Sequence, residues 1–275
     1  ARTRTEYARC GNAFHNGRSH RIRFQERAGT HWADNVICVS RATRDEVKWM
    51  YETPESKTRV VYNGVSSHRF DIDFDVGETR RQYGIGPMDP TVLFCGRLEW
   101  QKGPDILVEA IPFILRYYGN AKFVFAGEGG MGVAVERRAR QLGVWHAVRM
   151  LGYRNGQELP RLFRLSDVLC VPSRNEPFGI VVLEAWSAAK PVVVTHVGGP
   201  NEYVEHEQTG LKIAPRPDST AWGLGTLFKD FDRARWMGEN GRKTVLERFQ
   251  WDGIAGQMLD IYGCPQHAKA AGAAA

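Results

Sequence analysis

From residue 91 onward, short apolar runs alternate with amphipathic stretches. The runs 91–95 (TVLFC), 121–126 (AKFVFA), 148–151 (VRML), 168–171 (VLCV), 191–195 (PVVVT) and 210–214 (GLKIA) predict strands. Unbroken apolar runs, rather than strict alternation with polar residues, suit strands covered on both faces. Between them, 105–117, 131–142, 157–164 and 180–189 carry apolar residues at helical spacing, and a further helix is expected near Asn201. Strand–helix repetition with short connections predicts an α/β fold with a parallel, doubly wound sheet. Ligands of such sheets bind beyond the carboxyl ends of the strands, so the loops after each strand are the places to look for chemistry.

The earlier part of the chain has the same kind of pattern but less of it. Residues 18–34 read as a helix, 35–39 (NVICV) as a strand, 43–51 as a helix and 59–62 (RVVY) as a strand closed by the turn Asn63-Gly64. This is too little for a complete sheet domain. Residues 71–90 are rich in aspartate, contain Gly84, Gly86 and Pro87, and read as a linker. The expected organisation is a remnant of an amino-terminal domain over 1–70, a linker over 71–90, and a ligand-binding domain over 91–256. Residues 257–275 are expected to be a tail that is disordered or crosses back to the amino-terminal part.

Composition narrows the class. The 275 residues are 43% hydrophobic and 25% charged, as expected of a chain that buries a core. No apolar run approaches the length needed to cross a bilayer, and no signal peptide opens the chain. The chain begins at Ala1 rather than methionine, which predicts a fragment of a longer protein. Cys10, Cys38, Cys95, Cys170 and Cys264 are odd in number and match no metal spacing. Three of them sit inside apolar runs as small hydrophobes, which favours a reducing, cytoplasmic compartment. The net charge of +6 fits general solubility. It also fits attraction to nucleotides, phosphosugars or acidic lipid headgroups, so a peripheral membrane contact is compatible with it. The basic residues are scattered without a reader motif, so no nucleic-acid partner is expected.

The strand-end loops carry the candidate chemistry. After strand 91–95 come Gly96, Arg97 and Lys102, a pair of cations suited to phosphate oxygens, although a solvated basic turn would look the same. After strand 121–126 come Gly127, Glu128, Gly129 and Gly130 before a helix, an anion cradle or a plain turn. After strand 168–171 come Glu176, Pro177, Phe178 and Gly179, with Glu184 in the following helix. The two carboxylates lie roughly 8 to 10 Å apart along the axis at about 1.5 Å per residue, too far to share a proton and suited to opposite ends of a small ligand. A glutamate at a helix start can simply favour the dipole, but Glu184 among Val181, Val182, Leu183 and Ala185 needs a partner. After strand 191–195 come His196, Gly198 and Gly199, with the histidine read as a hydrogen-bonded loop residue. Four strand ends thus offer glycine amides, two cations and two carboxylates on one rim, which together predict a bound sugar diphosphate.

The segments GRLEWQKG, AGEGG, SDVLCVPSRNEPFGIVVLEA and PVVVTHVGGPNE resemble the retaining glycosyltransferases of family four, the glycosyl transferases group 1, which have the GT-B fold. The resemblance spans about residues 33–255. It implies a GT-B carboxy-terminal, Rossmann-like domain in which Gly96, Arg97, Lys102, Gly127 and Gly129 serve the donor diphosphate. It also implies that Glu176 meets the donor sugar, with the amides of Phe178 and Gly179 nearby, and that Glu184 binds the ribose. Tyr153 and Arg154 would hold the base, and Gly198 and Gly199 would lie close to the sugar or phosphate. Arg97, Lys102 and Glu176 are thereby the expected catalytic residues, in a hexosyltransferase using a UDP-, ADP- or GDP-sugar. The expected acceptor is a glycan, a lipid or a small molecule, with no cofactor and no metal because the two cations neutralise the diphosphate. Thr5-Glu6, Arg9, Gly11-Asn12, AGTHWADNVICVSRATRDEV and RVVYNGV resemble the end of the amino-terminal domain in glycogen-synthase-like members. A histidine just before the Thr-Glu pair and the early glycine-rich loop of those relatives are absent, which implies that most of the acceptor domain is missing. The alternative is therefore a non-catalytic nucleotide-sugar-binding fragment. A dehydrogenase is disfavoured because no G-x-G-x-x-G follows the first strand.

Overall fold

A computed structural model describes residues 18–263. Cys10, Cys264, the segment from Thr5 to Asn12 and the alanine-rich end lie outside the described residues. The first elements are α1 (Arg18–Trp32), β1 (Val36–Cys38), α2 (Arg41–Tyr51) and β2 (Thr58–Val60). The two strands form a small parallel sheet in which Val36 faces Thr58 and Cys38 faces Val60. Ser40 caps α2, accepting the Thr43 N–H at 3.0 Å.

The main sheet contains β3 (Thr91–Cys95), β4 (Lys122–Ala126), β5 (Val148–Gly152), β6 (Val168–Val171), β7 (Val192–Thr195) and β8 (Gly210–Ile213). Its order is β5-β4-β3-β6-β7-β8 and every pairing is parallel. The order runs outward in both directions from the β3–β6 pair, so the strand ends part there and open a crevice. The helices between them are α4 (Pro104–Leu115), α5 (Gly132–Gln141), α6 (Glu158–Leu165), α7 (Ile180–Ser187) and the short α8 (Pro200–Tyr203). This is the doubly wound α/β arrangement expected from the pattern of apolar runs.

The strands are apolar throughout because each alternate residue serves a different layer. Val92, Phe94, Phe123, Phe125, Val168, Cys170 and Val193 join one buried cluster with Leu107 and Ile111 of α4 and Val135 of α5. Leu93, Val124, Leu169, Val171, Val192 and Val194 join a second cluster with Phe163 of α6 and Leu183 and Trp186 of α7. Period-two alternation is therefore present, but both sets of positions are apolar.

Three later helices have no counterpart in the sequence reading: α9 (Pro217–Lys229), α10 (Phe231–Arg248) and α11 (Trp251–Ile261). Leu224, Leu227 and Phe228 of α9 cover the first cluster, and Val245 of α10 covers the second. The chain then returns to its beginning. Val65 pairs with Gln250, and the Val65 N–H donates to the Phe249 carbonyl at 2.8 Å. Helix α11 runs through residue 256, where the ligand-binding domain was expected to end, and Ile261 and Tyr262 share a groove with Asp34, Asn35 and Ile37. No helix among the described residues is long and apolar enough to cross a membrane.

Residues 71–90, expected as a linker, contain α3 (Val76–Gln82), capped by Asp75, whose carboxylate accepts the Glu78 N–H at 2.8 Å. Arg80 on this helix is buried at 8% exposure. Its guanidinium donates to the carbonyls of Leu165 at 2.7 Å and Asp89 at 2.5 Å, and to that of Gly86 at 3.0 Å. One cation thus ties the end of its own segment, at Gly86 and Asp89, to the Leu165 carbonyl at the end of α6 and to the Thr91 hydroxyl of β3. Removing it strips the buried Leu165 carbonyl of its donor, while the Gly86 and Asp89 carbonyls keep only the Asp89 N–H and the Thr91 hydroxyl. Arg80→Met is expected to lower the unfolding free energy by about 3 kcal/mol, read from urea denaturation midpoints at constant m-value.

Candidate active site at the β3–β6 crevice

Strand β3 delivers Gly96, Arg97 and a turn of 3-10 helix, Trp100–Lys102, before Pro104 opens α4. Strand β6 delivers Ser173, Arg174 and Glu176 before Gly179 leads into α7. The Lys102 ammonium bridges both Glu176 oxygens, at 2.9 Å and 2.7 Å, and the Ser173 hydroxyl donates to one of them at 3.1 Å. The side chains are 21% and 6% exposed respectively. Two ions so far out of water persist only if each neutralises the other, because the loss of one strands its partner.

Arg174 fastens the same two loops from outside. Its guanidinium is bidentate to Asp105 at 2.8 Å and 2.6 Å, lies 4.6 Å from the Trp100 ring centroid and donates to the Trp100 carbonyl at 2.8 Å. Its backbone N–H donates to Gln101 at 2.8 Å. Trp100, Asp105 and Arg174 are residues that reading by strand ends missed. Asp105 and Arg174 are 69 residues apart, and no local spacing signals their pairing.

Phe94, Cys95, Gly96, Lys102, Ser173, Glu176 and the start of α7 enclose a cleft of about 70 Å³. Among the described residues, the N–H groups of Gly179, Ile180 and Val181 meet no protein acceptor. They are the positive end of α7, and they lie on the cleft wall, which is the geometry of an anion site. The Phe178 side chain is instead core. Its ring sits 5.3 Å from that of Tyr203 and 5.9 Å from that of Tyr62.

Glu184 lies in the second turn of α7, largely buried, and its carboxylate has no hydrogen-bond partner among the described residues. Burial lifts its pKa to about 7 from an ordinary 4.5, with the Arg69 charge offsetting part of the rise. Burial also pushes the Cys95 thiol up to about 12, and the Glu184 charge adds to that shift, so the two groups are electrostatic neighbours.

The glycines have a second duty that the sequence did not show. Gly127 has φ of 149°, and a Cβ there would stand 1.9 Å from the Gly96 carbonyl oxygen. The 127–130 loop is therefore packed on the 96–99 loop. A carboxylate already sits on part of it, because Glu99 accepts the Gly130 N–H at 2.8 Å. Gly129 lies in the same contact, beside the Leu98 carbonyl. Gly198 has φ of 71°, and its Cβ would stand 2.0 Å from the Glu176 carbonyl oxygen. The next residue, Gly199, donates its N–H to that oxygen at 2.8 Å. The 198–199 loop therefore braces Glu176 from behind. His196 is a bonded loop histidine, with Nδ1 2.8 Å from the Ile213 carbonyl oxygen.

The structure thus gathers Gly96, Lys102, Glu176 and Gly179 in one cleft, with Glu184 beside it and Gly198 and Gly199 behind. Arg97 is exposed and has no ion-pair partner among the described residues. Tyr153 is 63% exposed, Arg154 pairs with Glu158 at 3.7 Å, and neither is among the residues that line the cleft. Among the described residues no group of three or more His, Cys, Asp or Glu side chains is placed to hold a metal ion.

A family model described as Glycosyl transferases group 1 matches residues 75–244. The chain belongs to this glycosyltransferase family. A second model, Glycosyltransferase Family 4, matches residues 5–69 of this group 1 glycosyltransferase chain. An uncharacterized glycosyltransferase of Methanocaldococcus jannaschii is 40% identical over 262 residues, covering 94% of this chain and 67% of that protein. The GDP-mannose-dependent alpha-(1-6)-phosphatidylinositol monomannoside mannosyltransferase of Mycobacterium tuberculosis is 35% identical over 237 residues, covering 83% of this chain and 61% of that protein. The crystal structure of Anabaena HepE in complex with UDP and glucose superposes with a TM-score of 0.82 at 24% identity, covering 92% of this chain and 69% of that one. That likeness shows the fold, which is the Rossmann-like domain of the GT-B type. The chain spans about two thirds of the first relative's length and less of the second.

The Glu184 shift makes stability depend on pH. Below about pH 4.5 the carboxyl is protonated whether folded or not, and its burial costs little. As pH rises from about 4.5 to about 7 the unfolded chain ionises first, so the folded state loses stability, and above that the loss is complete. Glu184→Gln is therefore expected to raise the unfolding free energy by about 3 kcal/mol at about pH 8 and to leave it nearly unchanged at about pH 4. Urea denaturation of both proteins across that range checks the crossover.

Proposed function

We propose that this chain is the donor-binding part of a retaining hexosyltransferase that takes its sugar from a nucleoside diphosphate. The observation that carries this reading is the cleft at the β3–β6 crevice. There one ion pair, Lys102–Glu176, faces the unpaired N–H groups that open α7. A diphosphate meets fixed amides and the Lys102 ammonium there, and a sugar beyond it meets the Glu176 carboxylate. Arg97, exposed on the adjoining loop and without an ion-pair partner among the described residues, supplies the second cation. With two cations serving the diphosphate, no metal is required. Glu184, short of a partner, is suited to the ribose hydroxyls, and Tyr153 with Arg154 to the base. The names of relatives support the class, one being GDP-mannose-dependent and another solved with UDP and glucose.

Departure of the leaving group builds negative charge on the diphosphate, which Lys102 and the start of α7 on the cleft wall, with Arg97 from the adjoining loop, stabilise. Positive charge grows on the sugar ring, where the Glu176 carboxylate counters it. Lys102 serves both, since it holds Glu176 and lines the anion cleft. The acceptor hydroxyl attacks the anomeric carbon from the face the diphosphate leaves, and a phosphate oxygen takes its proton. The donor domain spans 91–256 in this reading, and residues 1–70 belong to the acceptor side. A glycan, a lipid or a small molecule serves as acceptor. A second reading is nucleotide-sugar binding without turnover.

Calorimetric titration with UDP, GDP and ADP tests the clamp. One of the three is expected to bind, and Lys102→Ala and Arg97→Ala are each expected to weaken it about tenfold or more, about 1.4 kcal/mol. Glu184→Ala is expected to weaken the nucleotide even without its sugar. Unchanged affinity in the two cation variants removes the clamp.

A further inference from the structure

Helix α2 begins against the Glu176 loop, and its first turn is capped largely from outside its own segment. The first N–H groups of a helix have no intrahelical acceptor. Here the Arg41 and Ala42 N–H groups donate to the Glu202 carboxylate at 3.0 Å and 2.7 Å, across some 160 residues of sequence. The Tyr62 hydroxyl donates to the same carboxylate at 3.1 Å. Ser40, fully buried, donates its hydroxyl to the Pro177 carbonyl at 2.6 Å, one residue beyond Glu176.

Glu202 lies on α8, and α8 is itself fastened to that loop. The Tyr203 hydroxyl is bonded to the Phe178 carbonyl at 2.6 Å and lies 3.1 Å from that of Gly179. Gly199, at the start of α8, donates to the Glu176 carbonyl at 2.8 Å. Three segments therefore close a ring: α8 holds the 176–179 loop, Ser40 holds Pro177, and Glu202 holds the start of α2 on α8. A carboxylate at a helix start is favoured by the dipole, so the charge of Glu202 strengthens the closure.

We propose that Glu202 is a positioning residue for the donor site, fixing the loop that carries Glu176 by locking α2 onto α8. It touches neither the Lys102–Glu176 pair nor the cleft and acts through Ser40, Pro177 and Tyr203. This role rests on the donor-site reading above. It makes the amino-terminal segment part of the donor site's frame, because Glu176 keeps its place only while the start of α2 is capped.

Two measurements on the whole chain test this, with Glu202→Ala, Glu202→Gln, Ser40→Ala and a control, Asp230→Ala. Asp230 caps α10 by accepting the Arg233 N–H at 2.9 Å and lies away from the cleft. The first measurement is amide hydrogen exchange without ligand in peptides covering 176–182 and 196–203. The second is calorimetric titration with whichever of UDP, GDP and ADP binds the unaltered chain. Glu202→Ala and Ser40→Ala are expected to speed exchange in those peptides about tenfold and to weaken the nucleotide about fivefold. Glu202→Gln, which keeps one acceptor oxygen but turns an NH2 toward a donor at the other, is expected to recover only part of both, and Asp230→Ala to change neither. Unchanged exchange in Glu202→Ala and Ser40→Ala overturns the lock. Faster exchange with unchanged affinity, or equal effects from Asp230→Ala, overturns the positioning role. If Glu202→Ala does not fold, Ser40→Ala and Glu202→Gln decide by the same criteria. If the unaltered chain binds none of the three nucleotides, the donor-site reading falls and exchange alone judges the lock.

Discussion

The Lys102–Glu176 ion pair is the constraint around which the crevice is arranged. Each partner is carried by a loop after a different strand, β3 or β6, and neither can be left alone in a site this poorly hydrated. The surrounding contacts serve to hold the two loops at one separation. Arg174 clamps them through Asp105 and Trp100, Ser173 takes a Glu176 oxygen, and Gly199 takes the Glu176 carbonyl. The topology puts the pair where strand order reverses, which is where a parallel sheet can open to a ligand. Charge, topology and loop packing therefore favour one geometry.

The sheet was legible because burial on both faces leaves a plain mark. VLCV and VVVT are apolar at every position, and each became a strand with the expected bounds to within a residue. Helices α9, α10 and α11 were not read. In α10 the buried positions are Ala234, Met237, Gly238, Gly241 and Val245, so small residues carry much of the contact and the apolar stripe is thin. Helix α3 is seven residues long, too short for periodicity to show, and its anchor is a buried arginine rather than an apolar side chain. A pattern of hydrophobic positions does not report a cation that satisfies carbonyls.

The site was legible as a set of strand ends but not as a division of labour. Sequence placed Lys102, Glu176 and Gly179 on one rim, and the structure brings them into one cleft. It could not tell a glycine that admits a ligand from one that admits another loop. Gly127 and Gly198 each leave room for a neighbouring carbonyl oxygen, and an added Cβ would collide with protein before it met any ligand. Glu202 was visible only as the end of a glycine-rich turn, because its partners on α2 lie far back in the chain.

The pairing of Val65 with Gln250 has a consequence for how the polypeptide reaches this arrangement. Whatever emerges first from the ribosome around Val65 finds its neighbour only after a further stretch of the chain has been made. At about 5–20 residues per second that interval is roughly 10 to 40 s. Throughout it, Tyr62 lacks the Phe249 ring it packs against in the finished molecule. The segment around Val65 is thus made well before its partner and secured late, which gives chaperones a defined window in which to act.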